Sequence, residues 1–173
     1  MSKTKLKKEL QKLTKEQLIV QILDLYDKNK HIKEFYNFYL NPLDENQLAE
    51  KYIAIIKKEF DVARPERAGL KFSVAKKTIS EFKSLSPSAE SLANVMMTLP
   101  ECACEFTCEW GDMEESFYNA AYNNFKAALK FIAKNNLLPY FQQRAQQCTI
   151  WASSCGYGFA DDIDDVYLEY YNN

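Results

Sequence analysis

Apolar residues recur along this chain at the three- and four-residue spacing of an amphipathic α-helix. The longest stripe comprises Phe117, Ala121, Phe125, Ala128, Leu129 and Ile132. No segment alternates with the two-residue period of a β-strand, and four glycines are too few for the turns of an all-β protein. The pattern therefore predicts an all-α, single-domain fold over residues 1–173, an irregular helical bundle or short superhelix of about eight or nine antiparallel helices.

Short motifs predict where these helices begin. Thr14 and Gln17 have the spacing of a capping box, in which each side chain accepts a hydrogen bond from the backbone amide of the other residue. Asp44 is the predicted N-cap of the fourth helix. Ser86 followed by Pro87 is typical of another helix start, with the serine as N-cap.

Proline and glycine predict an interruption in the middle of the chain. Pro100 lacks an amide hydrogen, so we expect it to kink or restart its helix. Gly111 then ends this segment. Asp112 is the predicted N-cap of the next helix, with Glu115 in the reciprocal capping position.

The first 13 residues form a basic amphipathic segment in which Leu6, Leu10 and Leu13 share one helix face. Its candidate interaction residues are Lys5, Lys8 and Lys12. Because so short a helix is not stable alone, we expect it to dock on the body of the protein or on a second molecule. A membrane-surface role is disfavoured, since three leucines without Trp or Phe offer little area for insertion.

The charge of the chain is distributed unevenly along its length. Residues 1–60 carry 12 basic and 9 acidic side chains, whereas residues 100–173 carry 4 basic and 11 acidic ones. Such a chain can attract partners of either sign, including its own copies. The simpler interpretation is that these are solvated helix faces that differ in sign.

Five cysteines are the chain's most direct hint of chemistry. One metal site can be constructed, with Cys104 and Cys108 on one helix and Cys148 and Cys155 on another, because zinc prefers four tetrahedral ligands. We favour a second interpretation, in which the cysteines are buried thiols, because Cys148 and Cys155 fall on an apolar stripe and Cys102 falls on another.

The C-terminal segment places aromatic residues beside an acidic turn. The candidate interaction residues are Tyr157, Phe159, Asp161 and Asp162. If the last helix folds back on the body, its aromatic residues belong to the core, which is the interpretation we favour. If they are exposed, they form an aromatic and acidic surface suited to a basic peptide or helix.

Several classes of function lack their sequence signature. A single histidine excludes a di-iron bundle and a zincin, and no phosphate-binding glycine motif is present. Glu101, Glu105 and Glu109 share one helix face, which we interpret as a solvated stripe. We expect no cofactor, no membrane span and no signal peptide, and reduced thiols in a cytoplasm.

Two terminal segments have a recognisable sequence, the N-terminal "KKELQKLTKEQLIVQILDLYDKNKHIKEFYNFYLNP" and the C-terminal "GYGFADDIDDVYLEYY". Both resemble a family of small bacterial proteins of unknown function. The resemblance implies a bacterial cytoplasmic protein and supplies no catalytic residue.

Three functions remain open at this point. The leading hypothesis is a non-enzymatic helical protein-interaction module that binds an unknown protein partner or a second copy of itself. A nucleic-acid-associated protein that uses the basic N-terminal helix is the alternative, disfavoured because the chain as a whole is acidic. An enzyme of unrecognised type is the third.

The N-terminal segment generates the first prediction. Deleting residues 1–13 is expected to lower the melting temperature if the leucine stripe docks on the body of the protein. If the stripe docks on a second copy, the deletion is expected to change the oligomeric state. Thermal unfolding and the mass in solution measure these two effects. If neither quantity changes, the segment is a free tail and the docking argument is wrong.

Overall fold

A computed structural model of the chain describes residues 2–41, 45–156 and 158–171. These residues form nine α-helices and a 3₁₀ turn at Pro65–Arg67, with no strand. The helices are α1 Lys3–Leu10, α2 Lys15–Lys28, α3 Lys30–Leu40, α4 Glu45–Glu59, α5 Phe72–Ser84, α6 Ala89–Trp110, α7 Glu115–Lys134, α8 Leu138–Ala152 and α9 Phe159–Tyr171. The all-α prediction is confirmed.

The helices group into two compact units, residues 1–44 and residues 45–173. In the first unit, α2 and α3 pack against each other. The Tyr26 hydroxyl donates a hydrogen bond to the side-chain oxygen of Asn37 at 3.0 Å, and the Tyr26 ring meets that of Tyr36 edge to face. The predicted capping box at Thr14 and Gln17 is present and begins α2.

In the second unit, α6 is the helix around which the others are arranged. It packs against α4, α5, α7 and α8, while α9 packs against α7 and α8. The side chains of Val95, Met97 and Leu99 in α6 are completely buried. Burial on several faces at once distinguishes α6 from an ordinary amphipathic surface helix.

Helix α6 does not restart at Pro100, although a restart was one of the two outcomes expected from the sequence. The helix continues through it over 22 residues. Proline removes one backbone hydrogen bond, but Pro100 and Leu99 are fully buried and packed against neighbouring helices. We infer that this burial offsets the local loss of the hydrogen bond.

Two predicted N-caps are also corrected, and one lies outside the described residues. The cap of α6 is Ser88 rather than Ser86, because Ser86 adopts a left-handed conformation with φ of 59°. Helix α7 begins at Glu115 without a side-chain cap, and Asp112 instead accepts hydrogen bonds from the Tyr118 hydroxyl and from a backbone amide. The structure does not describe Asp44.

The burial of α6 generates the second prediction. Leu99→Ala should lower the free energy of unfolding by about 2–5 kcal/mol, since it leaves a cavity where the side chain was completely buried. Leu168→Ala is the matched control, because Leu168 is exposed, and should cost no more than about 1 kcal/mol.

Urea unfolding followed by tryptophan fluorescence measures both variants, because Trp110 and Trp151 lie in the second unit. Equal losses for the two variants would contradict the central position of α6.

Candidate functional site

The first unit contains no buried side chain among its described residues. None of the residues of α1, α2 or α3 is buried. Large apolar side chains are nevertheless frequent, and the exposed ones are Leu6, Ile19, Val20, Ile22, Leu23, Leu25, Tyr39 and Leu40. An apolar surface of this kind marks a binding site more often than a structural element.

Apart from those at the C-terminal end of α3, the most exposed apolar side chains of the first unit lie on α2. Ile19, Val20 and Leu23 are neighbours on the helix and are 45%, 65% and 57% exposed. We call these three residues the α2 ridge. Tyr26, by contrast, faces α3 and is half-buried. A helix with apolar residues on most of its faces is normally buried. Helix α3 covers only part of α2, so other apolar residues of α2 stay exposed.

A groove lies between α1 and the beginning of α2. Leu6, Leu10 and Leu18 provide its apolar lining, and its volume is about 790 Å³. Lys3 and Lys7 also line it, together with Thr4 and Gln11. We call this feature the leucine groove. It combines an apolar surface with two ammonium groups one helical turn apart.

The predicted interaction lysines lie elsewhere on α1. Lys5, Lys8 and Lys12 are exposed, and none of them lines the leucine groove. Lys12 forms an ion pair with Glu9 at 2.9 Å. Helical spacing could have identified Lys3 and Lys7, since they flank Leu6 and Leu10 at three- and four-residue intervals.

The C-terminal candidate residues divide between the core and the surface. Phe159 is 1% exposed and its ring centroid lies 4.6 Å from that of Tyr118. Asp161 and Asp162 are exposed in the first turn of α9. Phe159 therefore belongs to the core, as the favoured interpretation held, and does not contribute to a surface. Tyr157 lies outside the described residues.

The candidate metal-binding cysteines are distributed over α6, α8 and the segment after α8. Cys104 and Cys148 are buried and interact through their thiols. Cys155 follows the end of α8 and is only half-buried, contrary to the interpretation that it is a buried thiol, and its sulfur lies 3.5 Å from the Thr107 hydroxyl. In the described part of the chain, no three His, Cys, Asp or Glu side chains are grouped so that they could hold a metal ion.

Burial controls the chemistry of these thiols. Desolvation raises the pKa of Cys102 to about 12, and the nearby carboxylates of Glu101 and Glu105 add to the effect. Burial also raises the pKa of Cys148 well above its ordinary value, and the adjacent Cys104 contributes. The pKa of Cys155 is raised mainly by desolvation. A raised pKa disfavours the reactive thiolate.

The carboxylate of Glu101 is not part of a solvated stripe, contrary to the sequence-based interpretation. Arg144 of α8 donates two hydrogen bonds to it, of 2.6 and 2.5 Å, and a third to the side-chain oxygen of Asn94. The guanidinium carbon also lies 5.4 Å from the ring centroid of Phe141. Arg144 thereby joins α8 to α6, and burial raises the pKa of the neighbouring Glu105.

A polar cleft of about 330 Å³ lies near this ion pair. Glu45, Ser88, Asn94 and Tyr140 are among its lining residues. The Glu45 carboxylate already accepts a hydrogen bond from the Ser88 amide at 2.7 Å. These polar groups thus hold α4 against the start of α6. Because they are already used in this contact, the leucine groove is the better candidate for binding a partner.

A family model described as a family of unknown function, DUF6155, matches residues 1–166. The match includes the central helices and the cysteines, and is thus wider than the two terminal segments that carried the resemblance. No curated protein and no solved structure matches the chain. Within the described residues, no helix combines the length and apolar character needed to cross a membrane.

The burial of the thiols generates the third prediction. Under native conditions a thiol reagent should modify the half-exposed Cys108 first, while Cys102 and Cys148 react only as fast as the protein opens. Mass spectrometry of the labelled peptides measures each site, and labelling in denaturant provides the reference for complete reaction. Rapid native labelling of Cys148 would be incompatible with its position in the core.

Proposed function

We propose that this chain, which belongs to the DUF6155 family of unknown function, is a non-enzymatic helical protein-interaction module. Its first unit would bind the partner and its second unit would be the folded body. One observation supports the proposal above the others. The helices of the first unit bury no side chain, yet they expose eight large apolar ones.

The energetics favour an occupied surface. Full burial of a Val, Leu or Ile side chain contributes about 1.5–3 kcal/mol. Since the three side chains of the α2 ridge are roughly half exposed, covering them would contribute about 1 kcal/mol each. These three contacts together would contribute a few kcal/mol to the binding free energy of a partner.

The alternative of nucleic-acid association rests on the exposed lysines of α1. Lys5, Lys8 and their neighbours could neutralise phosphates without reading bases. The apolar surface of α2 supports a protein partner instead, because leucine and isoleucine side chains do not bind phosphate groups. Salt dependence separates the two, since phosphate binding weakens steeply as salt rises.

The compartment is part of the same proposal. The five cysteines are free thiols, and reduced thiols are typical of a cytoplasm. We therefore place the module in a bacterial cytoplasm. The resemblance of its terminal segments to a family of bacterial proteins supports the same location.

The fourth prediction tests the interaction surface by affinity capture. The full-length chain is compared with the double variant Ile19→Lys/Leu23→Lys, which places two charges on the α2 ridge. The matched control is Ile150→Lys/Leu168→Lys, because these two residues are exposed in the second unit. Proteins bound through the ridge should be retained by the wild type and the control, and reduced about tenfold or more with the ridge variant.

Quantitative mass spectrometry measures the retained proteins after nuclease treatment and a wash at high salt, and circular dichroism checks that both variants keep their helix content. The same retained set for all three proteins would refute binding through the first unit. Loss of every retained protein on nuclease treatment alone would favour nucleic-acid association.

A further inference from the structure

We propose that the leucine groove receives an amphipathic helix from another protein, with an apolar stripe and acidic residues on either side of it. This inference rests on the proposed function and specifies the chemistry of the partner. It follows from the lining of the groove and from the charge around it.

Helix α1, which provides most of the groove's lining, is long enough to offer a partner helix about two turns of contact. Helix α1 contains eight residues and is therefore about 12 Å long, or roughly two turns. An amphipathic helix in such a groove inserts apolar side chains at positions i, i+3 or i+4, and i+7. Leu6 and Leu10 on α1 and Leu18 on α2 provide apolar contacts along this length. Leu6 is 42% exposed and thus accessible to a partner.

The charge around the groove selects acidic residues. Lys3 and Lys7 line it directly, and neither forms an ion pair within the described residues. Residues 2–18 contain six lysines and two glutamates, and one of these glutamates, Glu9, is paired with Lys12. Carboxylates beside the apolar stripe of a partner would meet Lys3 and Lys7, whereas a basic helix would be repelled.

The acidic helix of this chain does not suit the groove. Helix α9 carries several aspartates, but its apolar residues Phe159, Ile163 and Val166 are 1%, 0% and 3% exposed. They are already committed to the core of the second unit. The α1 helix of a second copy carries lysines and would repel the groove. Neither of these two helices of the chain fits the groove, and we infer that the occupant comes from a different protein.

A designed peptide tests this inference without knowledge of the natural partner. The probe is a fluorescent synthetic peptide of about 15 residues, with leucines at one-turn spacing flanked by glutamates. Fluorescence anisotropy measures its binding to the full-length chain. A peptide of the same composition with its leucines scattered around the helix is the control for non-specific attraction.

Charge reversal locates the site. Lys3→Glu/Lys7→Glu should weaken binding about tenfold or more, since it replaces two attractive contacts by two repulsive ones. Lys5→Glu/Lys8→Glu is the matched control, because it makes the same change in net charge on the same helix at residues that do not line the groove. A peptide with lysines in place of the glutamates should recover binding to the first variant.

Four results would overturn the inference. They are no binding of the leucine–glutamate peptide, equal weakening by both double variants, binding of anionic phospholipid vesicles instead of the peptide, and a dimer in solution that Leu6→Glu converts to monomer. If any of these is found while the α2 ridge variant still loses its captured proteins, the occupant proposed here is wrong and the interaction module stands.

Discussion

Burial of α6 is the constraint on which the second unit depends. Thirteen of its 22 residues are buried, which is possible only if other helices cover several of its faces. Helices α4, α5, α7 and α8 provide this cover, and α9 completes the packing against α7 and α8. The ion pair between Arg144 and Glu101 then fixes α8 along α6. A helix that must be surrounded therefore determines where its neighbours lie.

The first unit shows the opposite relation between sequence and burial. Helix α2 is rich in leucine, isoleucine and valine, yet it contains no buried residue. The hydrophobic effect that assembles helices around α6 is therefore unsatisfied on α2. This contrast supports the proposal that the first unit presents the functional surface. Under that proposal, the lysines of the leucine groove would add charge selectivity to a surface that would otherwise attract any apolar partner.

The sequence predicts most of the fold because helical periodicity and local caps are short-range properties. The capping box at Thr14 is recognisable from two side chains three residues apart. Pro100 was misleading because the packing of α6 by distant helices decides its effect. The pairing of Glu101 with Arg144 spans 43 residues of sequence, and no local pattern could reveal it.

The candidate site was only partly accessible to the same reasoning. The sequence predicts the basic, leucine-bearing first helix as an interaction segment through Lys5, Lys8 and Lys12, whereas Lys3 and Lys7 line the leucine groove. Charge alone does not distinguish these lysines, because the position of the groove depends on how α1 lies beside Leu18. The exposure of the α2 ridge was not anticipated either, since periodicity shows which residues are apolar but not whether another helix covers them.

Amide hydrogen exchange of the full-length chain, alone and with the leucine–glutamate peptide, tests the central claim most directly. The account predicts slow exchange in α6, because its amides lie in the core, and fast exchange in α1 and α2, which have no buried residue. Addition of the peptide should slow exchange within residues 3–18 and leave α6 to α9 unchanged. Protection of α1 and α2 equal to that of α6 without the peptide would contradict the account.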